Sequence, residues 1–155
     1  MATREEQRKE ILDYLETYLR NQAVEELYAI DYVDRNENDP AVKEAVERLQ
    51  KTIKYGHWFP VYFLRKNIIS AMEIEPIRDE GVDHTFGLRH GGYRTYHYSW
   101  LIYSEEDEAK VSTVIQRLND QGYIKLSKSG KAFRVMKDKF GPVQIRDTNG
   151  KMITY

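Results

Sequence analysis

Along residues 5–20 the apolar side chains Ile11, Leu12, Leu15, Tyr18 and Leu19 recur three and four positions apart, the spacing that places them on one face of a helix. The stretch "NQAVEELYAIDYV" keeps that spacing through Val24, Leu27, Tyr28 and Val33, either as a continuation or as a second helix with Asn21 at the break. The polar segment "RNENDP" predicts a linker, with Asp39 as an N-cap and Pro40 at the first helical position of the next helix. That helix carries Val42, Ala45, Val46, Leu49 and Ile53 on one side and ends near Gly56. Another is predicted from Pro60, where Val61, Leu64, Ile68 and Met72 keep helical spacing among many β-formers.

Beyond Pro76, "RDEGVDHTFGLRHGGYR" is rich in glycine and charge and predicts a long loop. From Tyr96 to Ile102 the pattern changes: Tyr96, Tyr98, Trp100 and Ile102 alternate with a set that includes the polar His97 and Ser99, as in a strand. Ser104 then reads as an N-cap with Asp107 at the third helical position, leading into Val111, Val114, Ile115 and Leu118. Gly122 stops this helix. Two strands, Tyr123 to Leu126 and Lys131 to Met136, flank the turn "SKSG", and Asn149-Gly150 marks a last hairpin. The sum is an α+β fold: N-terminal helices followed by a small antiparallel sheet with one helix, winged-helix-like in order. One compact domain is expected over residues 1–155, with an acidic helical part at 1–56 and an aromatic-rich, basic, winged-helix-like part at 57–155.

Composition sharpens this picture in four ways. The 155 residues are 41% hydrophobic, 12% aromatic and 32% charged, which suits a packed core under a solvated surface. No apolar run is long enough to span a bilayer, and the start "MATREEQRKE" lacks the apolar segment of a signal peptide, so a cytoplasmic protein with no membrane partner is expected. There is no cysteine, and His57, His84, His90 and His97 lack metalloprotease spacing, so neither a metal nor a cofactor is expected. Charge is uneven: residues 1–50 hold 7 Lys/Arg against 13 Asp/Glu, and residues 51–155 hold 17 against 12. Within 125–139, Lys125, Lys128, Lys131, Arg134, Lys137 and Lys139 face a single acid, Asp138.

Residues 104–138 therefore run from a capped amphipathic helix into a basic hairpin, and in that order they resemble the winged helix-turn-helix superfamily. The resemblance implies a DNA-binding regulator of transcription, with Thr113, Gln116 and Arg117, flanked by Lys110, turned outward to read base edges of double-stranded DNA. Lys128, Lys131 and Arg134 would then meet the phosphates and release condensed counterions. Two features oppose it. The helix begins "SEEDEA", whose carboxylates repel phosphate, and the segment before it reads as a strand where a winged domain has a helix. The alternative is a helix packed on a hairpin, its acids favouring their own helix dipole and its lysines solvating a sheet edge.

A second constellation, "LRHGGYRTYHYSW", mixes Arg89, His90, Arg94 and His97 with four aromatic residues. Histidine near neutral pH, arginine forks and a permissive Gly91-Gly92 suit either phosphodiester cleavage or a ligand, partner or single-stranded nucleic-acid surface. The residues have no spacing that defines a catalytic mechanism, so a non-enzymatic protein is expected. The runner-up function is an inhibitor or adaptor that binds a protein partner through its acidic helices or aromatic strand. A phosphodiester-cleaving enzyme comes third. The apolar faces of the N-terminal helices also predict a homodimer, since two-fold pairing is the commonest use of surplus apolar surface.

Overall fold

The computed structural model describes residues 2–33, 39–147 and 149–155. Helices make up 48% and antiparallel sheets 25%, an α+β fold. The first helix, α1 (Arg4–Val33), is continuous through Asn21. Of the two alternatives the sequence left open, continuation holds: Asn21 is exposed while Leu19, Gln22 and Ala23 around it are buried, so the packed stripe carries the helix past one weak helix former. Helix α2 (Pro40–Tyr55) starts as its sequence suggests, with the Asp39 carboxylate accepting from the Ala41 N–H at 3.0 Å. The linker residues 34–38 lie outside the described residues.

The chain then passes Gly56, whose φ of 77° favours glycine, and where a Cβ would stand 2.7 Å from Arg134 Cδ. A two-residue strand, β1 (Phe59–Pro60), leads into α3 (Val61–Ala71), which buries Leu64, Ile68 and Ile69. Two ten-residue strands follow, β2 (Arg78–Gly87) and β3 (Tyr93–Ile102), paired in full antiparallel register from Arg78↔Ile102 to Gly87↔Tyr93. The region expected to be a loop is thus largely strand. Gly91 and Gly92, at φ of 90° and 81°, close the tip, and the Gly92 carbonyl accepts from the Leu88 N–H at 2.9 Å. The glycines that suggested an irregular loop make a turn between two strands, and cross-strand hydrogen bonds organise the charged residues before it.

After α4 (Glu105–Asp120) come β4 (Ile124–Leu126) and β5 (Ala132–Val135), and then the terminal hairpin of β6 (Gln144–Arg146) and β7 (Met152–Thr154). Strand β5 lies between β1 and β4, through Phe59↔Phe133 and Ile124↔Val135, so the short segment before α3 joins the hairpin after α4 in one sheet. Alternation along β5 sends Phe133 and Val135 inward, with Phe133 fully buried against the Tyr18 and Phe59 rings at 5.2 and 5.8 Å. One continuous core joins α1, α3, α4 and this sheet, from Ile11 and Leu15 to Val111 and Leu118. The apolar positions of α1 from Ile11 to Ala23 are therefore packed against the chain itself, whereas Tyr28 is exposed.

The terminal hairpin docks on α1. Its turn is tied by the Asp147 carboxylate, which accepts from the Asn149 and Lys151 N–H groups at 3.0 and 2.8 Å. Val143 and Ile145 are buried, Arg20 donates to the Gln144 carbonyl at 2.8 Å, and the Tyr155 hydroxyl donates to the Glu26 carboxylate at 2.7 Å. Burial first, and the adjacent Glu26 carboxylate second, push the Tyr155 phenol far above the usual tyrosine range, so it remains a donor. Among the described residues no helix is long and apolar enough to cross a membrane.

Candidate nucleic-acid interface

Helix α4 is built from its cap. Ser104 Oγ accepts from the Asp107 N–H at 3.1 Å, and the four first-turn acids Glu105 to Glu108 sit at the positive end of the helix dipole. The acids have local partners: Glu108 pairs with Arg65 of α3, and Lys110 Nζ lies 3.5 Å from Glu106 and 3.9 Å from Asp107. Lys110, counted from the sequence among DNA contacts, thus spends its charge within its own helix. Val111, Ile115 and Leu118 are buried, which leaves Thr113, Gln116 and Arg117 exposed on the other side. Thr113 donates to the Ala109 carbonyl at 2.8 Å, and Gln116 to Asp120 at 3.0 Å. Arg117 has no ion-pair partner among the described residues.

The end of α4 is coupled to the basic hairpin. Gly122 takes a φ of 81°, and the Tyr123 N–H donates to the Leu118 carbonyl at 3.0 Å, closing the helix. Asn119 Oδ1 then accepts from the Leu126 N–H at 3.1 Å, so the last turn of the helix holds β4 in place. The turn between β4 and β5 has its own frame: the Gly130 N–H donates to the Ser127 carbonyl at 2.9 Å, and the Ala132 N–H to Ser127 Oγ at 3.1 Å. The Lys131 carbonyl accepts from the Val61 N–H at 2.9 Å, anchoring the turn to the start of α3. Lys128 and Lys131 are exposed on this framework.

Arg134 is placed differently. It projects from the outer face of β5, half-buried, with its guanidinium 5.2 Å from the Trp58 ring centre. Lys125, its cross-strand partner on β4, shares that face. Lys125 was counted in the basic stretch but not among the phosphate contacts, and Trp58 was not singled out from the sequence. The parity of β5 could have paired Lys125 with Arg134, but nothing local announces that Trp58 meets them.

The residues of the second constellation separate. Arg89 and His90 occupy the tip between β2 and β3, Arg94 lies on one face of β3, and His97 lies on the opposite face in contact with Asp83. Residues 94 and 97 differ by an odd number, so strand alternation already forbids them from sharing a face. Among the described residues no group of three or more His, Asp or Glu side chains could hold a metal ion. Compared with known proteins, the chain matches no family model, no curated protein and no solved structure.

Proposed function

We propose that the protein binds double-stranded DNA through the exposed side of α4 and the basic turn between β4 and β5, as a winged-helix regulator of transcription. The observation that carries this reading is that, within the order α1, α2, β1, α3, β2, β3, α4, β4, β5, the elements α1, β1, α3, α4, β4 and β5 follow a winged-helix order once α2 and the β2–β3 hairpin are set aside, with β5 seated between β1 and β4. This supplies the helix that the sequence lacked before α4: α3 packs on α4, and the β2–β3 hairpin is inserted between them. Thr113, Gln116 and Arg117 are accessible to base edges, and Lys128 and Lys131 stand on a rigid turn fit for phosphate contacts. The acidic first turn then has to lie away from phosphate, so the middle of α4 makes the approach. The expected cytoplasmic location goes with this role.

Gel-shift or anisotropy titrations on a random duplex and on a selected site, at several salt concentrations, test the proposal. Gln116→Ala and Arg117→Ala should change the ratio of the two affinities, because base contacts are worth about 1–3 kcal/mol each. Absence of any duplex binding at about 50 mM salt, where phosphate contacts are strongest, would overturn it. A protein partner as sole function is the second reading, favoured by the exposed aromatic face of β2 and β3.

A further inference from the structure

Among the described residues, the β2–β3 hairpin is a long element with no cover of its own. Every residue from Arg78 to Leu101 is exposed, on both faces. Ten residues at about 3.3 Å each make a ribbon roughly 33 Å long, and an isolated two-stranded ribbon is at best marginally stable in water. Cross-strand partners share a face, so the register sorts the side chains. One face is polar along its middle, with Asp79, Asp83, Thr85, Thr95, His97 and Ser99, and has Leu101 at its base and Tyr93 near the tip. The other carries Val82, Phe86, Tyr96, Tyr98 and Trp100, which are 43–49% exposed. Rings on this face already touch one another, Phe86 to Tyr96 at 5.7 Å and His84 to Tyr98 at 5.7 Å.

Charge on the aromatic face is ordered along its length. From base to tip the pairs run Arg78/Ile102, Glu80/Trp100, Val82/Tyr98, His84/Tyr96 and Phe86/Arg94. Near the base Glu80 is held 3.0 Å from Arg78; at the far end Arg94 stands over the Tyr96 ring, its guanidinium 6.0 Å from the centroid. On this face Glu80 and its partner Arg78 lie at the base and Arg94 lies beside the tip, with Arg89 and His90 in the turn beyond it; Asp79 and Asp83 lie on the other face, Asp83 at mid-length.

We infer that this face is a homodimer interface in which the hairpins of two copies pack face to face and antiparallel, the tip of each over the base of the other. Two-fold packing of one face on its own copy allows two orientations. With the axis along the strands, Glu80 meets Glu80 and Arg94 meets Arg94. With the axis across the strands, midway between the Val82/Tyr98 and His84/Tyr96 pairs, the Phe86/Arg94 level falls on the Glu80/Trp100 level of the partner. Arg94 then covers an indole and reaches a carboxylate, both attractive, and each contact is made twice. Charge selects the antiparallel form. Four aromatic side chains of about 150–250 Å², nearly half exposed, offer on the order of 350 Å² per copy. With Val82, His84 and the polar rim, two faces approach the roughly 1,000 Å² that a specific interface needs.

Within one chain Arg94 and Glu80 lie six residues apart along the ribbon, about 20 Å, too far to interact, so any coupling between them is intermolecular. The test uses full-length protein without nucleic acid, by sedimentation velocity across micromolar concentrations. The parent chain should dimerise, and Arg94→Glu and Glu80→Arg alone should each weaken the dimer about tenfold or more, because each sets like charges together twice. An equimolar mixture of the two single variants should recover it, since every contact in the mixed dimer is again between opposite charges. Tyr98→Glu, at the centre of the face and outside the core, should give a monomer with unchanged circular dichroism. A parent chain monomeric at all concentrations, a dimer indifferent to Tyr98→Glu, or a mixture no stronger than its components would each overturn the inference.

Discussion

Replacing Lys128 and Lys131 by alanine together is the sharpest probe of the proposed DNA contact. Both side chains are exposed at the β4–β5 turn, and that turn is held by Ser127, by the Gly130 and Ala132 N–H groups and by the anchor from Val61, none of which the substitution removes. The fold should therefore survive, with a stability change within about 0.5 kcal/mol. Each lysine that neutralises one phosphate contributes about 0.9 to the slope of log affinity against log salt, so the pair should shallow that slope by about 1.8. At about 0.1 M salt this corresponds to a loss of about 60-fold, or about 2.5 kcal/mol. Between about 50 and 200 mM the parent should lose about twelvefold more affinity than the variant. The loss should be equal on specific and random duplexes, because phosphates carry no sequence information. Fluorescence anisotropy with a labelled duplex at five or six salt concentrations measures both slopes. Parallel lines for parent and variant would refute the assignment of the turn to the DNA backbone.

Two further outcomes follow from the same geometry. Phe133→Ala empties the centre of the sheet where Tyr18 and Phe59 converge, and should cost about 3–5 kcal/mol in urea unfolding; a loss below about 1.5 kcal/mol would mean that the core is not centred there. Glu105→Gln with Glu106→Gln should raise affinity for every duplex alike by removing long-range repulsion, while costing the helix only about 0.3–1 kcal/mol per charge from its dipole; unchanged or weaker binding would refute an approach of α4 to the duplex.

What could be read locally was read correctly where a few neighbouring residues set the backbone. The Asp39 and Ser104 caps, the Gly122 stop, the β4–β5 turn and the Asn149-Gly150 hairpin depend on hydrogen bonds or dihedrals within four or five positions, and all are present. The buried stripe of α4 follows from the 3.6-residue period in the same way, which is why Thr113, Gln116 and Arg117 are found outside. At Asn21 the sequence left continuation and a break both open, because helix propensity is worth only a few tenths of a kcal/mol, and the burial of Leu19 and Ala23 decides for continuation. Strand β2 was hidden for another reason: Gly81, Gly87 and the acids are poor strand formers alone, and only ten rungs of pairing with β3 make them a ribbon. The sequence by itself determined the caps that start α2 and α4, the glycine that ends α4 and the α4 residues that face inward, because those are short-range matters of sterics and periodicity. Only the tertiary structure decided that Phe59 would lie beside Phe133, that Arg134 would stack on Trp58, and that the aromatic face of the hairpin would be left uncovered. Those outcomes join residues tens of positions apart, and loop closure and core packing select them with no trace in any local window.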